Sequence, residues 1–460
     1  MSADLLLRNA RIVTGDADFH GSVAVRSGKI AQVASGDETI EAAEVVDLAG
    51  KLLLPGLVDG HVHFNEPGRE HWEGYRTGSM AAAAGGVTTV LDMPLNATPP
   101  TIDAATLARK REVVRTQSVV DYAHWGGLVA DNLNDLGDLI AEGVVGCKAF
   151  MSASGVDFER VDDDHLYAGL KIAGELGSVI GVHAENEHLT ALLAANLRAS
   201  GRTDRASWHE SRPPETELEA IRRASYLAGF ASGNLHVVHV SIAAGLEEIA
   251  RARRNGASIT AETCPHYLFF DSSDFERLGP VAKCAPPLRS RGDVEALWAA
   301  VLGGLVDTIG SDHSPCPWED KQKGLDDIWQ AWGGISGVQT MLPVLLTEGV
   351  HRRGMPLTAL VRMTATNPAR IFGLYPRKGA IVPGADADLV VVDPERVWTL
   401  EADQLMSRNR YSAYVGTVFR GAVERTLVRG ETVYLDGKVT MQPGFGQLVR
   451  RLHPYAPLDR

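Results

Sequence analysis

The stretch LLLPGLVDGHVHF, residues 52–64, is an apolar strand-like run that stops on two histidines, His61 and His63. Residues two apart on an extended strand project to the same face, so both imidazoles point together. By itself an H-x-H pair serves packing as readily as metal binding. Four more apolar runs carry a polar residue of the same kind: Lys148 in VVGCKAF, His183 in SVIGVHAE, His239 in LHVVHVS and Asp312 in VDTIGSD. A single histidine on an apolar segment is common. Four of them with a lysine and an aspartate, each closing such a run, are hard to explain as packing. Imidazole and carboxylate are donors that zinc-like metals accept, and activation of water is what such sites are built for.

Working outward, eight strand-like runs can be counted: GLVDGHVH, TTVLDMPL, VVDYAHWGGL, VVGCKAFM, SVIGVHAE, LHVVHVS, ASITAETC and VDTIGSD. They alternate with segments of helical spacing and charged outer faces, such as TIDAATLARKREVVRTQ and ETELEAIRRASYLAGFA. Alternating β and α predicts a parallel sheet, and eight units fit an α/β fold of the (β/α)₈ barrel (TIM barrel) type. The active site of such a barrel lies at the C-terminal ends of its strands, where all six residues fall.

Both ends of the chain read differently. DLLLRNARIVTG, GSVAVRSGKIAQVAS and AEVVDLAGKLLL are β-rich and separated by Gly and Asp turns, and the texture returns in ADLVVVDPE, AVERTLVRG and ETVYLDGKVT. Neither end is long enough for a comfortable β domain alone. The expected organisation is therefore a small β-sandwich built from residues 1–54 and 376–460, with the barrel spanning 55–375.

Composition excludes several classes. A chain of 460 residues with 45% apolar and 22% charged residues is ordinary for a globular protein of one large and one smaller domain. The net charge of −13 offers no electrostatic footprint for nucleic acid. No apolar run is long enough for a membrane span, and MSADLLLRNARIVTGD lacks a signal-peptide pattern, so a cytoplasmic location is expected. Cys147, Cys264, Cys284 and Cys316 are widely spaced without C-x-x-C and read as reduced thiols.

Asp312, in GSDHSP, reads either as a cap or turn residue or as a metal ligand that also shuttles protons. Lys148 is the least obvious member. A protonated lysine has no lone pair for a metal. Its neutral amine can react with carbon dioxide to give a carbamate, a carboxylate-like group able to bridge two cations, and desolvation and nearby positive charge favour that neutral form.

The motifs PGLVDGHVHFNEPGREHWEG, AAAAGGVTTVLDMPLN, GCKAF, VHAEN, HVVHVS, TCPHYL and GSDHSP together resemble the cyclic amidohydrolases: allantoinases, hydantoinases (dihydropyrimidinases) and dihydroorotases. The resemblance covers nearly the whole chain, including the split terminal β domain. It implies a binuclear centre of two divalent metal ions, most often Zn²⁺, with Co²⁺, Fe²⁺ and Mn²⁺ compatible with the same donors. It places His61, His63 and Asp312 on one metal, His183 and His239 on the other, and carboxylated Lys148 between them. It also implies a homotetramer.

Within that family, three local features resemble the allantoinases. HFNEPGR has Asn65 where dihydroorotases have an arginine for a substrate carboxylate, and a neutral ureide suits an amide better than a guanidinium. Hydantoinases typically place a tyrosine five residues after the bridging lysine, where this chain has Ala153. DMPLN, with Asn96, has the allantoinase form of the second strand end. The implied reaction is hydrolysis of the cyclic amide of (S)-allantoin to allantoate, with Asp312 as proton shuttle. A hydantoinase or dihydropyrimidinase, and a non-catalytic relative acting as a scaffold, are the alternatives. Asn65, Asn96, Ala285 beside Cys284 in KCAPPLR, and Ser336 in GGISGVQ are substrate-binding candidates, although turn and loop roles explain them equally well. His266 and His313 read as supporting or packing histidines, and His71, His124, His165, His188, His209 and His236 as structural or surface residues.

Overall fold

All eight apolar runs form parallel strands: Leu57–Val62, Val87–Asp92, Asp121–His124 continued by Gly126–Gly127, Cys147–Phe150, Ile180–His183, Asn234–Val237, Ser258–Thr263 and Thr308–Ile309. The computed structural model describes residues 2–36 and 40–458; Met1, residues 37–39 and 459–460, which the expected sandwich includes, lie outside the described residues. Nearly every strand residue is buried, because neighbouring helices cover one face and the barrel interior the other, which is why these strands read as continuous apolar runs. The eighth strand meets the first through a parallel bridge between Val62 and His313, where His63 N donates to His313 O at 2.8 Å. That contact closes the barrel and sets Asp312 beside the two histidines of the first strand.

The outer helices begin where their sequences say they should. Ala104–Val114 is capped by Asp103, whose carboxylate accepts from Thr106 N at 2.7 Å, and Pro214–Ala231 starts with proline in its first turn. The helix Ala243–Arg254 ends in arginines that favour its negative C-terminal pole.

The two chain ends join in one nine-stranded hydrogen-bonded sheet. Leu52–Pro55, just before the first barrel strand, pairs parallel with Ala3–Val13 and antiparallel with Leu389–Thr399 (Leu53 opposite Val391). Ala3–Val13 also pairs with Ala42–Asp47 through its first half, and changes partner around Asn9, at φ +54°. The branch lets the sheet fold over a core of its own containing Leu7, Ile12, Val23, Leu53, Leu389 and Leu427. Among the described residues no helix is long and apolar enough to cross a membrane. All four cysteines are buried and free of disulfide bonds.

Candidate metal centre

The six residues singled out from sequence line one cavity of 520 Å³ at the C-terminal ends of the strands. The rings of His61 and His63 lie 5.2 Å apart, and the Nε2 atoms of both are 3.3 Å from Asp312 Oδ1. His183 Nδ1 is 3.1 Å from His239 Nε2, and the His239 ring lies 5.5 Å from that of His61. Candidate ligand atoms of His61, His63 and Asp312 all lie within 4.8 Å of one another. His239 and Asp312 hold φ of +40° and +45°, conformations that cost a non-glycine residue energy and persist only where the surroundings enforce them.

Two carboxylates orient these imidazoles. Glu262 Oε1 takes His61 Nδ1 at 2.8 Å, leaving His61 Nε2 to face Asp312. Glu185 Oε2 takes His183 Nε2 at 2.8 Å, leaving Nδ1 toward His239, and is itself paired with Arg212. Gly310 is required here: a Cβ would stand 2.5 Å from Glu262 Oε2 and 3.1 Å from His61 Cβ. Neither glutamate was singled out from sequence. Glu185 was visible two residues after His183 in VHAEN, whereas Glu262 sits inside the seventh strand, which carries no candidate ligand.

Electrostatics put the groups in ligating form. Burial opposes ionisation of Asp312, but His61, His63 and His239 outweigh it and hold the carboxyl below its usual range. Glu262 and Glu185 behave alike: despite burial, His61 and His236 for the first, and Arg212 and His183 for the second, bring each down to about 2. Burial pushes His63 and His239 below the ordinary histidine value, keeping both imidazoles neutral. Neutral imidazoles and ionised carboxylates are the states a metal needs. Lys148 is fully buried, its ammonium has no hydrogen-bond partner among the described residues, and burial drops it to about 7 against the opposing pull of Asp312 and Glu262. An orphaned buried amine amid two imidazole groups and a carboxylate fits a site completed by divalent cations, and the N/O donor set fits zinc-like ions.

Of the four substrate-binding candidates, Asn96 and Ala285 line the cavity. Asn65 is buried outside that lining, its Nδ2 3.5 Å from Pro315 O, and its φ of +65° turns the chain so that Arg69 reaches the cavity instead. Ser336 is also buried outside it, and its carbonyl accepts from Ser412 Oγ at 2.8 Å. His313 is buried with Nδ1 accepting from Gly337 N at 3.1 Å, and His266 is buried in a short helix. Four tryptophans that the sequence does not single out also line the cavity: Trp72, Trp208, Trp329 and Trp332. Lys283 lies 4.1 Å over the Trp208 ring and donates to the carbonyls of Ile328 and Ala331, pinning the loop that carries Trp329 and Trp332.

A (β/α)₈ barrel with histidines, a lysine and an aspartate gathered at its strand ends is the architecture of the metal-centred barrel hydrolases. The model of the amidohydrolase family matches residues 52–433, and the chain belongs to that family. It is 47% identical over 452 residues to an allantoinase of Rubrobacter xylanophilus, covering 98% of each chain. It is 44% identical over 449 residues to an allantoinase of Solibacter usitatus, covering 97% of each. Among solved structures, an L-hydantoinase (dihydropyrimidinase) from Arthrobacter aurescens superposes with a TM-score of 0.95 at 37% identity, over 98% of this chain and 100% of that one. A dihydropyrimidinase from Brevibacillus agri gives 0.91 at 33% identity, over 98% and 99%.

Proposed function

We propose that this chain is a metal-dependent hydrolase that opens the cyclic amide of (S)-allantoin to allantoate, in purine catabolism. The observation that carries the reading is the convergence of His61, His63, Lys148, His183, His239 and Asp312 on one cavity, in a chain whose relatives are named allantoinases. His61, His63 and Asp312 would hold one cation, His183 and His239 a second, with carboxylated Lys148 between them. When bound, such a pair, most commonly Zn²⁺, lowers the pKa of water and polarises a carbonyl.

The chain's own residues then order the reaction. Asp312, ionised and beside two imidazoles, takes the proton of the attacking water and returns it to the ring nitrogen as the carbon–nitrogen bond breaks. The ring opens to a carboxylate and a terminal ureide NH2, and the second proton of the water leaves to solvent. Glu262 and Glu185 keep the His61 and His183 rings aimed. The cavity wall at Asn96 and Ala285 faces the substrate. The same reading includes the division into residues 1–54, 55–375 and 376–460, and a cytoplasmic homotetramer.

The test is turnover of allantoin, hydantoin and dihydrouracil by metal-analysed protein, with allantoin expected to be the preferred substrate. Faster opening of either other ring reassigns the chain to the hydantoinases, and a metal-free, inert protein makes it a scaffold. Glu262→Gln keeps the shape of the side chain that holds His61 but not its charge. Metal affinity in chelator competition is expected to fall roughly 10- to 100-fold. An unchanged affinity would assign Glu262 to packing alone.

A further inference from the structure

The loops after the first and second barrel strands are joined. Thr98 N donates to Pro67 O at 2.7 Å, and Gly68, at φ +92°, has no room for a Cβ because Thr98 O would stand 2.5 Å from it. This junction brings Arg69 and Asn96 into the wall of the same cavity. The Arg69 guanidinium lies 5.0 Å over the Trp72 ring, and Trp72 meets Trp332 edge-on at 4.6 Å, so the arginine is held in place by an aromatic shelf. Its Nη1 is buried with no hydrogen-bond partner among the described residues. Of the other cations lining the cavity, Lys148 sits among the candidate metal ligands, Arg212 is paired with Glu185, and Lys283 is spent on loop carbonyls. Asn96, at a φ of +67° that asparagine tolerates, presents a buried Oδ1 that likewise lacks a partner. A lone donor and a lone acceptor therefore share one side of the cavity. Neither is used in opening the ring.

We propose that Arg69 and Asn96 form a subsite for the exocyclic arm of the substrate, selecting an arm whose carbonyl is flanked by N–H groups over an apolar arm of the same shape. The inference rests on the cyclic-ureide reading above and specifies which ureide is taken. Arg69 Nη1 donates to the arm's carbonyl oxygen, and Asn96 Oδ1 accepts from its N–H. An apolar arm leaves both groups desolvated and unpaired, which is how a site built to hydrogen-bond rejects an isostere.

The experiment compares kcat/KM for allantoin with that for 5-isobutylhydantoin, whose arm has the branched shape of the ureido group without its polar atoms. The metal-loaded wild type is expected to prefer allantoin. Arg69→Met is expected to reduce that preference roughly 10- to 100-fold, carried mainly in KM, with Arg69→Lys intermediate because it keeps the charge and loses the fork. Asn96→Gly, which tolerates the positive φ and removes the carboxamide, reduces the same ratio and serves as an independent arm if Arg69→Met does not fold. A general loss of folding lowers both substrates alike. A preference unchanged in both variants overturns the subsite and leaves the allantoin reading intact. A wild type that opens 5-isobutylhydantoin as fast as allantoin overturns both.

Discussion

Lys148→Ala is expected to lower kcat/KM by at least about 10³-fold and to reduce bound metal from about two ions per chain to one or none. The ammonium is fully buried 4.8 Å over the Phe150 ring, without a hydrogen-bond partner among the described residues, and it couples electrostatically to Asp312, Glu262, His183 and His239. Burial lowers its pKa to about 7, so a large share of the amine is neutral at physiological pH and can react with carbon dioxide. Carboxylation would turn this buried cation into an anion that two cations could share. Lys148→Arg separates this account from one in which positive charge matters: arginine stays protonated and forms no carbamate, so it should be as inactive as alanine. Metal analysis after gel filtration and reconstitution with and without bicarbonate provide the readout. Retention of two metals and full turnover in either variant would sink the bridging assignment.

Lys148 also shows what the sequence alone makes legible. Parallel strands covered on both faces must be apolar along their length, so a polar residue closing such a run stands out in the sequence. Strand order and the six converging residues followed from that one regularity, and the terminal β segments from their alternation and turn residues. Arg69 and Asn65 show where legibility stops. Asn65 lies two residues after His63, yet its φ of +65° and the bond from Arg69 N to Asn65 O coil the loop so that Arg69 gains the cavity. That coil depends on the approach of Gly68 to Thr98, a contact between segments thirty residues apart that no local pattern encodes. Glu262 was hidden differently: its strand, ASITAETC, ends without a ligand, so its carboxylate looked like one polar residue among several. The eighth strand is shorter than its apolar run, Thr308–Ile309, because Asp59 draws Ser311 N out of the ladder at 3.0 Å and Asp312 takes a left-handed φ.

The second large effect concerns stability and lies away from the cavity. Lys378 is fully buried between three carboxylates, 2.5 Å from Asp121 Oδ2, 2.6 Å from Asp388 Oδ2 and 2.9 Å from Asp386 Oδ2. Asp121 opens the third barrel strand, whereas Asp386 and Asp388 lead into the C-terminal arm of the terminal sheet, so one ammonium ties barrel to sheet. The three acids lie close enough to hold a cation, and the lysine is that cation. Lys378→Met leaves the acids facing one another, with Arg429 on Asp121 and with Lys29 and Arg377 on Asp386 as their remaining partners. Removing one member of a buried ionic group strands the others, and a loss of about 3–5 kcal/mol in urea unfolding is expected. Adding Asp388→Asn should recover part of it by removing the acid that depends most on the lysine. The pH dependence has a definite sign. Burial opposes the charge on Lys378, but Asp388, Asp121 and Asp386 hold its pKa above the ordinary 10.5, so its contribution is complete below that value and constant between about pH 6 and 9. Burial pushes Asp388 up, while at Asp386 burial is outweighed by Lys378, Lys29 and Arg377 together, which bring it down to about 2. What Asp386 contributes is thus present above its ordinary 3.8 and lost as pH falls from there toward 2, and Asp388 protonates earlier. The gap between wild type and Lys378→Met should therefore narrow below about pH 4. A variant within about 1 kcal/mol of wild type at neutral pH would mean that the arginines and Lys29 neutralise the cluster without Lys378.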